Sequence, residues 1–148
     1  TTCSFFFFFS VKKYILLLLV FPILFGCSSD SSRNNNPHLP SYPVNLEINM
    51  NLPQYSNLKF VSNAVYIPDN GVRGIIVFNS GSGYNAFDAA CPNQALSACS
   101  TMTIKGINSL CACDGAEYSL FSGQSAGKQY PLKQYRVEVN GNVLRVYN

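Results

Sequence analysis

The sequence predicts an all-β domain, a small antiparallel sandwich or barrel carrying two cysteine loops. Three observations support this. Short runs alternate apolar and polar residues, the period of a half-buried strand. Turn signals such as Pro68-Asp69-Asn70-Gly71 and Asn140-Gly141 separate the runs. No segment sustains a 3.6-residue apolar stripe for more than about two helical turns.

In chain order, residues 44–50 set Val44, Leu46, Ile48 and Met50 against Asn45, Glu47 and Asn49, which describes a strand with one buried face. A second run, 64–67, stops at the turn signal 68–71. Residues 74–79 (Gly-Ile-Ile-Val-Phe-Asn) form a β-branched run, which Ser80-Gly81-Ser82-Gly83 turns into a further strand at 84–88. After the cysteine loops, Tyr135, Val137 and Val139 share one face, and Asn140-Gly141 leads into a last strand at 143–146. With no internal repeat and about 105 residues, the segment 44–148 is enough for one small domain.

The N-terminal part is an address. Lys12 and Lys13 precede an apolar run over 14–25 that ends in Leu24-Phe25-Gly26-Cys27. A short basic region, about a dozen apolar residues and a small residue before the cleavage point describe a secretory signal, 1–26. The run is too short for a membrane span, which needs about 20 apolar residues. Phe5 to Phe9 precede the lysines and fit no targeting logic, so 1–10 reads as an overextended start with Val11 as the candidate initiator. Leu24 to Cys27 resembles the lipobox of bacterial lipoproteins. That resemblance implies cleavage before Cys27, acylation of its thiol and stable anchoring in the cell envelope, on its periplasmic or surface face. Ser28 to Pro40 is rich in Ser, Asn and Pro, so 27–43 is expected to be a lipidated cysteine followed by a flexible linker. It contains His38, the one histidine of the chain, expected as a solvated linker residue.

Loss of Lys12 and Lys13 with the signal leaves eight of the ten basic residues against seven acidic ones, a net charge of +1 instead of +3. Scattered, nearly balanced charge gives no footprint for nucleic acid or acidic lipid. The expected partners are the membrane, through the lipid, and an unidentified protein.

The chemistry-bearing stretch is a pair of loops, Cys91-Pro92-Asn93 and Cys111-Ala112-Cys113-Asp114-Gly115, with 17 residues between Asn93 and Cys111. With histidine at 93 and 114 the pattern would be C-x-H-x17-C-x-x-H. It resembles the Rieske [2Fe–2S] family, in which two thiolates hold one iron and two imidazoles the other. The order of the flanking pieces, from Ile75-Ile76-Val77-Phe78 through Ala90-Cys91-Pro92 to the hairpin around Asn140-Gly141, resembles that family from about residue 58 to 147. The resemblance makes Cys91, Asn93, Cys111 and Asp114 the degenerate cluster positions.

The two departures argue against the family's usual chemistry. Asn93 offers an amide, a poor iron ligand, and Asp114 a hard carboxylate. With no histidine in the folded part, the second iron would lack both imidazoles. The exported compartment is oxidising, so disulfides are the default use of the four cysteines, with three pairings open. The resemblance implies a bridge between the loops from Cys99 to Cys113. Without iron between them, Cys91 and Cys111 would face each other and could also bond. The leading expectation is no cofactor. The alternatives are a [2Fe–2S] centre using Cys91 and Cys111 with atypical ligands, a four-thiolate zinc or iron–sulfur site, and a redox-active dithiol. That last reading is disfavoured because there is no C-x-x-C and no histidine to lower a thiol pKa.

Enzyme signals are missing. Without a histidine in the domain there is no Ser–His or Cys–His nucleophile. Gly81-Ser82-Gly83 reads as a hairpin turn, and Asp114 with Glu117 as solvated loop charges. Tyr118, Phe121, Tyr130 and Tyr135 cluster around the second loop, mostly as core, with one or two available at loop tips for a partner. The expected function is therefore a non-catalytic, cluster-free accessory or binding module; the runner-up is a Rieske-type electron carrier.

Overall fold

A computed structural model describes residues 36–148. The signal segment 1–26, the candidate lipid anchor Cys27 and the first part of the linker lie outside the described residues.

The domain is built on two antiparallel sheets. The larger has six strands: β1 (Asn45–Asn49), β2 (Ala64–Ile67), β3 (Ile75–Asn79), β4 (Tyr84–Asp88), β8 (Gln134–Asn140) and β9 (Val143–Tyr147), in the spatial order β1-β9-β8-β4-β3-β2. The smaller is a meander of β5 (Thr103–Lys105), β6 (Asn108–Leu110) and β7 (Glu117–Ser119). All six strands of the larger sheet fall within one or two residues of the alternating runs. The short 3₁₀ helix Pro53–Lys59 and strands β5 and β6 have no counterpart in the sequence reading, whereas β7 falls where the resemblance implies an aromatic strand after the second loop.

β3 shows why one run does not alternate. All five of its residues are buried, because both faces are covered. Ile75 and Val77 pack into one cluster with Ile48, Leu58, Ala86, Tyr135, Leu144 and Val146. Ile76 and Phe78 face the other way, into a second cluster with Phe87, Met102, Tyr118, Leu120 and Leu132 that also takes in Cys91 and Cys111. A strand buried on both sides loses the polar half of its period. β1, covered on one side only, keeps it: Ile48 is buried while Asn45, Glu47 and Asn49 are exposed. β3 and β4 are joined at the Ser80–Gly83 turn, closed by Ser80 N–H donating to the Gly83 carbonyl at 2.9 Å. Val139, at the far end of β8, shares the face of Tyr135 but runs past the core and is exposed.

The linker expectation needs correction from residue 36 onward. Asn36 Nδ2 donates to the Pro92 carbonyl at 2.7 Å, Leu39 is buried, and Lys133 Nζ donates to the Pro40 carbonyl at 2.8 Å. Asn148 then closes the run, donating to the Tyr42 carbonyl and accepting from Val44 N–H. The segment before β1 is a strap laid along the domain. Composition suggested a leash because the groups that hold the strap lie 56 to 106 residues away.

Candidate functional site: the paired cysteine loops

The first loop leaves β4 at Asp88, and its base is pinched shut. Met102 N–H donates to the Ala89 carbonyl at 2.7 Å and Cys91 N–H to the Ser100 carbonyl at 2.9 Å, beside a bridge pairing Ala90 with Thr101. The second loop is one tight turn between β6 and β7: Gly115 N–H donates to the Cys111 carbonyl and Cys111 N–H to the Ala116 carbonyl, both at 2.9 Å. Gly115 takes φ +70°, a region costly for a residue with a Cβ.

The two loops are bonded to each other twice. Cys91 is joined to Cys111 with Cα atoms 5.6 Å apart, and Cys99 to Cys113 with Cα atoms 5.1 Å apart. The inner bridge is inside the second core cluster, with Cys91 and Cys111 at 1% and 0% exposure. The outer bridge reaches solvent at Cys99, and Cys113 is half-buried. The sulfurs of Cys91, Cys111 and Cys113 all lie within 4.8 Å of one another.

Both residues at the histidine positions are engaged. The Asn93 amide clamps the peptide of Tyr130 from both sides: Oδ1 accepts from Tyr130 N–H at 2.9 Å and Nδ2 donates to the Tyr130 carbonyl at 2.7 Å. Nδ2 also donates to the Tyr118 hydroxyl at 2.9 Å. Burial raises the Tyr118 pKa, so its phenol stays neutral and can accept this bond. Asp114 Oδ1 accepts from Ala116 N–H at 3.0 Å, and Oδ2 pairs with Lys128 Nζ at 2.6 Å. That ammonium holds the Asp114 carboxyl below the usual aspartate range.

These donors do not fit a Rieske cluster. The two sulfurs that would bind one iron are bonded to each other. At the second iron, an amide with all its hydrogen-bonding groups in use and an ion-paired carboxylate replace two neutral imidazoles. With the sulfurs oxidised, the three-sulfur convergence is no thiolate metal site either.

Three features of the site were not read from the sequence. Asp88 is fully buried at the root of the first loop and accepts four bonds: from Val72 N–H at 2.6 Å, Arg73 N–H at 3.1 Å, Ala90 N–H at 3.0 Å and Tyr135 hydroxyl at 2.7 Å. Burial, reinforced by the Asp88 charge and hydrogen bond, pushes the Tyr135 phenol far above its ordinary value, so it remains a donor. Gly71, at φ +66°, leaves the space this network fills; a Cβ there would meet the Asp88 carboxylate and lie 2.7 Å from the Tyr135 hydroxyl. The available signal was a lone carboxylate ending an apolar strand. Lys133 is 8% exposed, and desolvation lowers its pKa; it anchors the strap. His38, expected in solvent, stands edge-on against the Tyr130 ring with centroids 5.9 Å apart, beside the peptide that Asn93 clamps. Of the four aromatics singled out, Tyr118 and Tyr135 are core, Tyr130 is half-buried and Phe121 is exposed over Phe78.

No protein-family model matches the chain, and no curated protein matches it. Among solved structures it is similar to the ferredoxin of carbazole 1,9a-dioxygenase from Nocardioides aromaticivorans, at 15% identity and TM-score 0.45, over 72% of this chain and 97% of that one. A protein assigned as the small subunit of an NADH-dependent nitrite reductase from Mycobacterium tuberculosis gives 13% and 0.45, over 73% and 97%. A chain from a complex of reduced oxygenase and oxidised ferredoxin in carbazole 1,9a-dioxygenase gives 20% and 0.44, over 59% and 82%. Two cysteine loops meet side by side on a small antiparallel β domain, the all-β arrangement expected from the sequence.

Proposed function

We propose that the protein is a cluster-free, non-catalytic Rieske-like module, lipid-anchored at Cys27 in the bacterial cell envelope, which presents its loop end to a protein partner. One observation carries this reading: each of the four positions matching cluster ligands is committed to another protein group. Cys91 and Cys111 share a bond, Asn93 holds the Tyr130 peptide, and Asp114 holds Lys128. Cross-linked in this way, the loops are held by protein bonds where a cluster would otherwise tie them together. Among the described residues no helix is long and apolar enough to cross a membrane.

The test is iron and acid-labile sulfide in full-length protein purified from its native envelope, with the visible spectrum. The expected result is neither iron nor charge-transfer absorption. Stoichiometric iron and sulfide would overturn the reading and establish the alternative, a [2Fe–2S] electron-transfer protein with atypical ligands. Detergent partitioning tests the anchor: Cys27→Ser should leave the detergent phase, and wild-type partitioning of the variant would remove the lipid from the proposal.

A further inference from the structure

The two disulfides differ in access but not in location, and the difference gives them a direction. Cys99 is exposed and Cys113 half-buried, whereas Cys91 and Cys111 are closed to solvent. Yet the Cys113 sulfur lies within 4.8 Å of both inner sulfurs. We propose that the site performs thiol–disulfide exchange with a dithiol reductant: the outer bridge is its point of entry, and Cys113 passes the exchange on to the buried bridge.

Each step conserves atoms and electrons. A thiolate of the external dithiol attacks Cys99 Sγ, forming a mixed disulfide and releasing Cys113 as a thiolate. The second thiol of the reductant displaces Cys99, leaving the reductant as its own disulfide and two cysteines reduced by two electrons. Cys113 thiolate then attacks Cys91 Sγ; the Cys91–Cys111 bond breaks, a Cys91–Cys113 bond forms, and Cys111 leaves as thiolate with no net redox change.

Polar groups stand where the charge would appear. The Ser97 hydroxyl lies 3.2 Å from Cys99 Sγ and 3.5 Å from Cys113 Sγ, and the Ser100 hydroxyl 3.9 Å from Cys113 Sγ. At the far end of the relay, Gln94 Nε2 donates to Cys111 Sγ at 3.5 Å. A donor on a leaving sulfur stabilises its thiolate and speeds its departure. This placement favours attack at Cys91 with Cys111 leaving. Attack at Cys111 would instead close the very short Cys111-Ala112-Cys113 ring. The absence of a C-x-x-C motif does not prevent this chemistry, because the fold assembles the sulfurs from two loops.

The experiment uses oxidised full-length protein exposed to dithiothreitol, with samples taken over time, acid-quenched, alkylated with N-ethylmaleimide and mapped without reduction. A Cys91–Cys113 peptide pair, with Cys99 and Cys111 alkylated, is expected to rise and fall before four alkylated cysteines accumulate. Loss of the Cys91–Cys111 pair with no Cys91–Cys113 pair at any time would overturn the relay. This measurement needs no substitution, so it decides the question even if a variant folds poorly. In Cys99→Ser with Cys113→Ser, the buried bridge should be reduced about tenfold more slowly, since no thiolate is delivered to it. An unchanged rate would mean that dithiols reach the inner bridge unaided, and the proposal would fail. The inference shares with the proposed function only the Cys91–Cys111 bond: stoichiometric iron on those sulfurs would remove both, whereas a missing Cys91–Cys113 pair in iron-free protein would overturn the relay alone.

Discussion

The larger sheet and the loop end are held by different forces. In the larger sheet, β3 is buried on both faces and Ile48, Leu58, Leu144 and Val146 close the core beneath it, so cohesion there comes from apolar area removed from water. In the smaller sheet, all three residues of β5 are exposed and only Ser109 and Tyr118 of the next two strands are buried. The loop end shares the second apolar cluster through Met102, Tyr118, Leu120 and Leu132, and it is cross-linked besides by two disulfides, the Asn93 clamp and the Lys105–Glu117 and Lys128–Asp114 pairs. Where strands are short and largely exposed, cross-links add to the apolar core by restricting the unfolded chain. The difference also means that the two regions should fail separately.

The largest expected effect comes from reducing both bridges. Each contributes about 3 kcal/mol in the chain-entropy picture for loops of this length, and both act on the same region. Hydrogen exchange of the reduced protein should lose protection in β5, β6, β7 and both cysteine loops while β1, β9 and β8 keep theirs. Uniform loss across both sheets would erase the distinction. The converse experiment is Leu144→Ala, expected to cost about 2–5 kcal/mol by cavity formation, by the same amount in oxidised and reduced protein.

This contrast also explains what the sequence revealed. Most strands of the larger sheet are legible because one-sided burial writes a period of two into residues such as Val44, Leu46, Ile48 and Met50, and β3, buried on both faces, is legible as a short β-branched run between turn signals. In the smaller sheet β5 and β6 are illegible because these three-residue strands bury almost nothing, so Thr103-Ile104-Lys105 carries no pattern to read. At the site, the family resemblance singled out Cys91, Asn93, Cys111 and Asp114, and the structure brings together the two loops that carry them. The employment of Asn93 and Asp114 could not be read, since Tyr130 and Lys128 arrive from a loop with no fixed register to either. The strap was missed for a related reason: Leu39 and Pro40 look like linker until Lys133 is seen to need an acceptor.

Asp88 joins the two regions, since its carboxylate ties the β2–β3 turn and β8 to the root of the first loop. Asp88→Asn keeps the shape but places an NH₂ group against donors. About 2–3 kcal/mol of destabilisation is expected, as for hydrogen bonds to a charged group, with loss of protection on both sides of the boundary. Denaturant melts and exchange check this; an effect confined to one sheet would show that the network is not the coupling. Asn93→Ala should cost less, about 1–2 kcal/mol for the unsatisfied Tyr130 peptide, and should loosen the loop end alone.

The smallest effect belongs to Asp114. Its carboxyl is held below the ordinary aspartate value chiefly by the Lys128 hydrogen bond, with help from Ala116 N–H and opposition from partial burial. A depressed folded-state pKa contributes stability that is fully present above the unfolded value, near 4, and is lost as pH falls through the lower folded value. Wild-type protein should therefore lose a small increment of stability below about pH 4 that Asp114→Asn does not lose. The pair lies at the surface, where such contributions are screened and small, so the variant should differ little from wild type at neutral pH and the two melting curves should converge in acid. Because the site lies beside the outer bridge, the same convergence should vanish in reduced protein if the turn has already opened. Persistence of the acid-dependent difference after reduction would show that the second loop holds its shape without its disulfides.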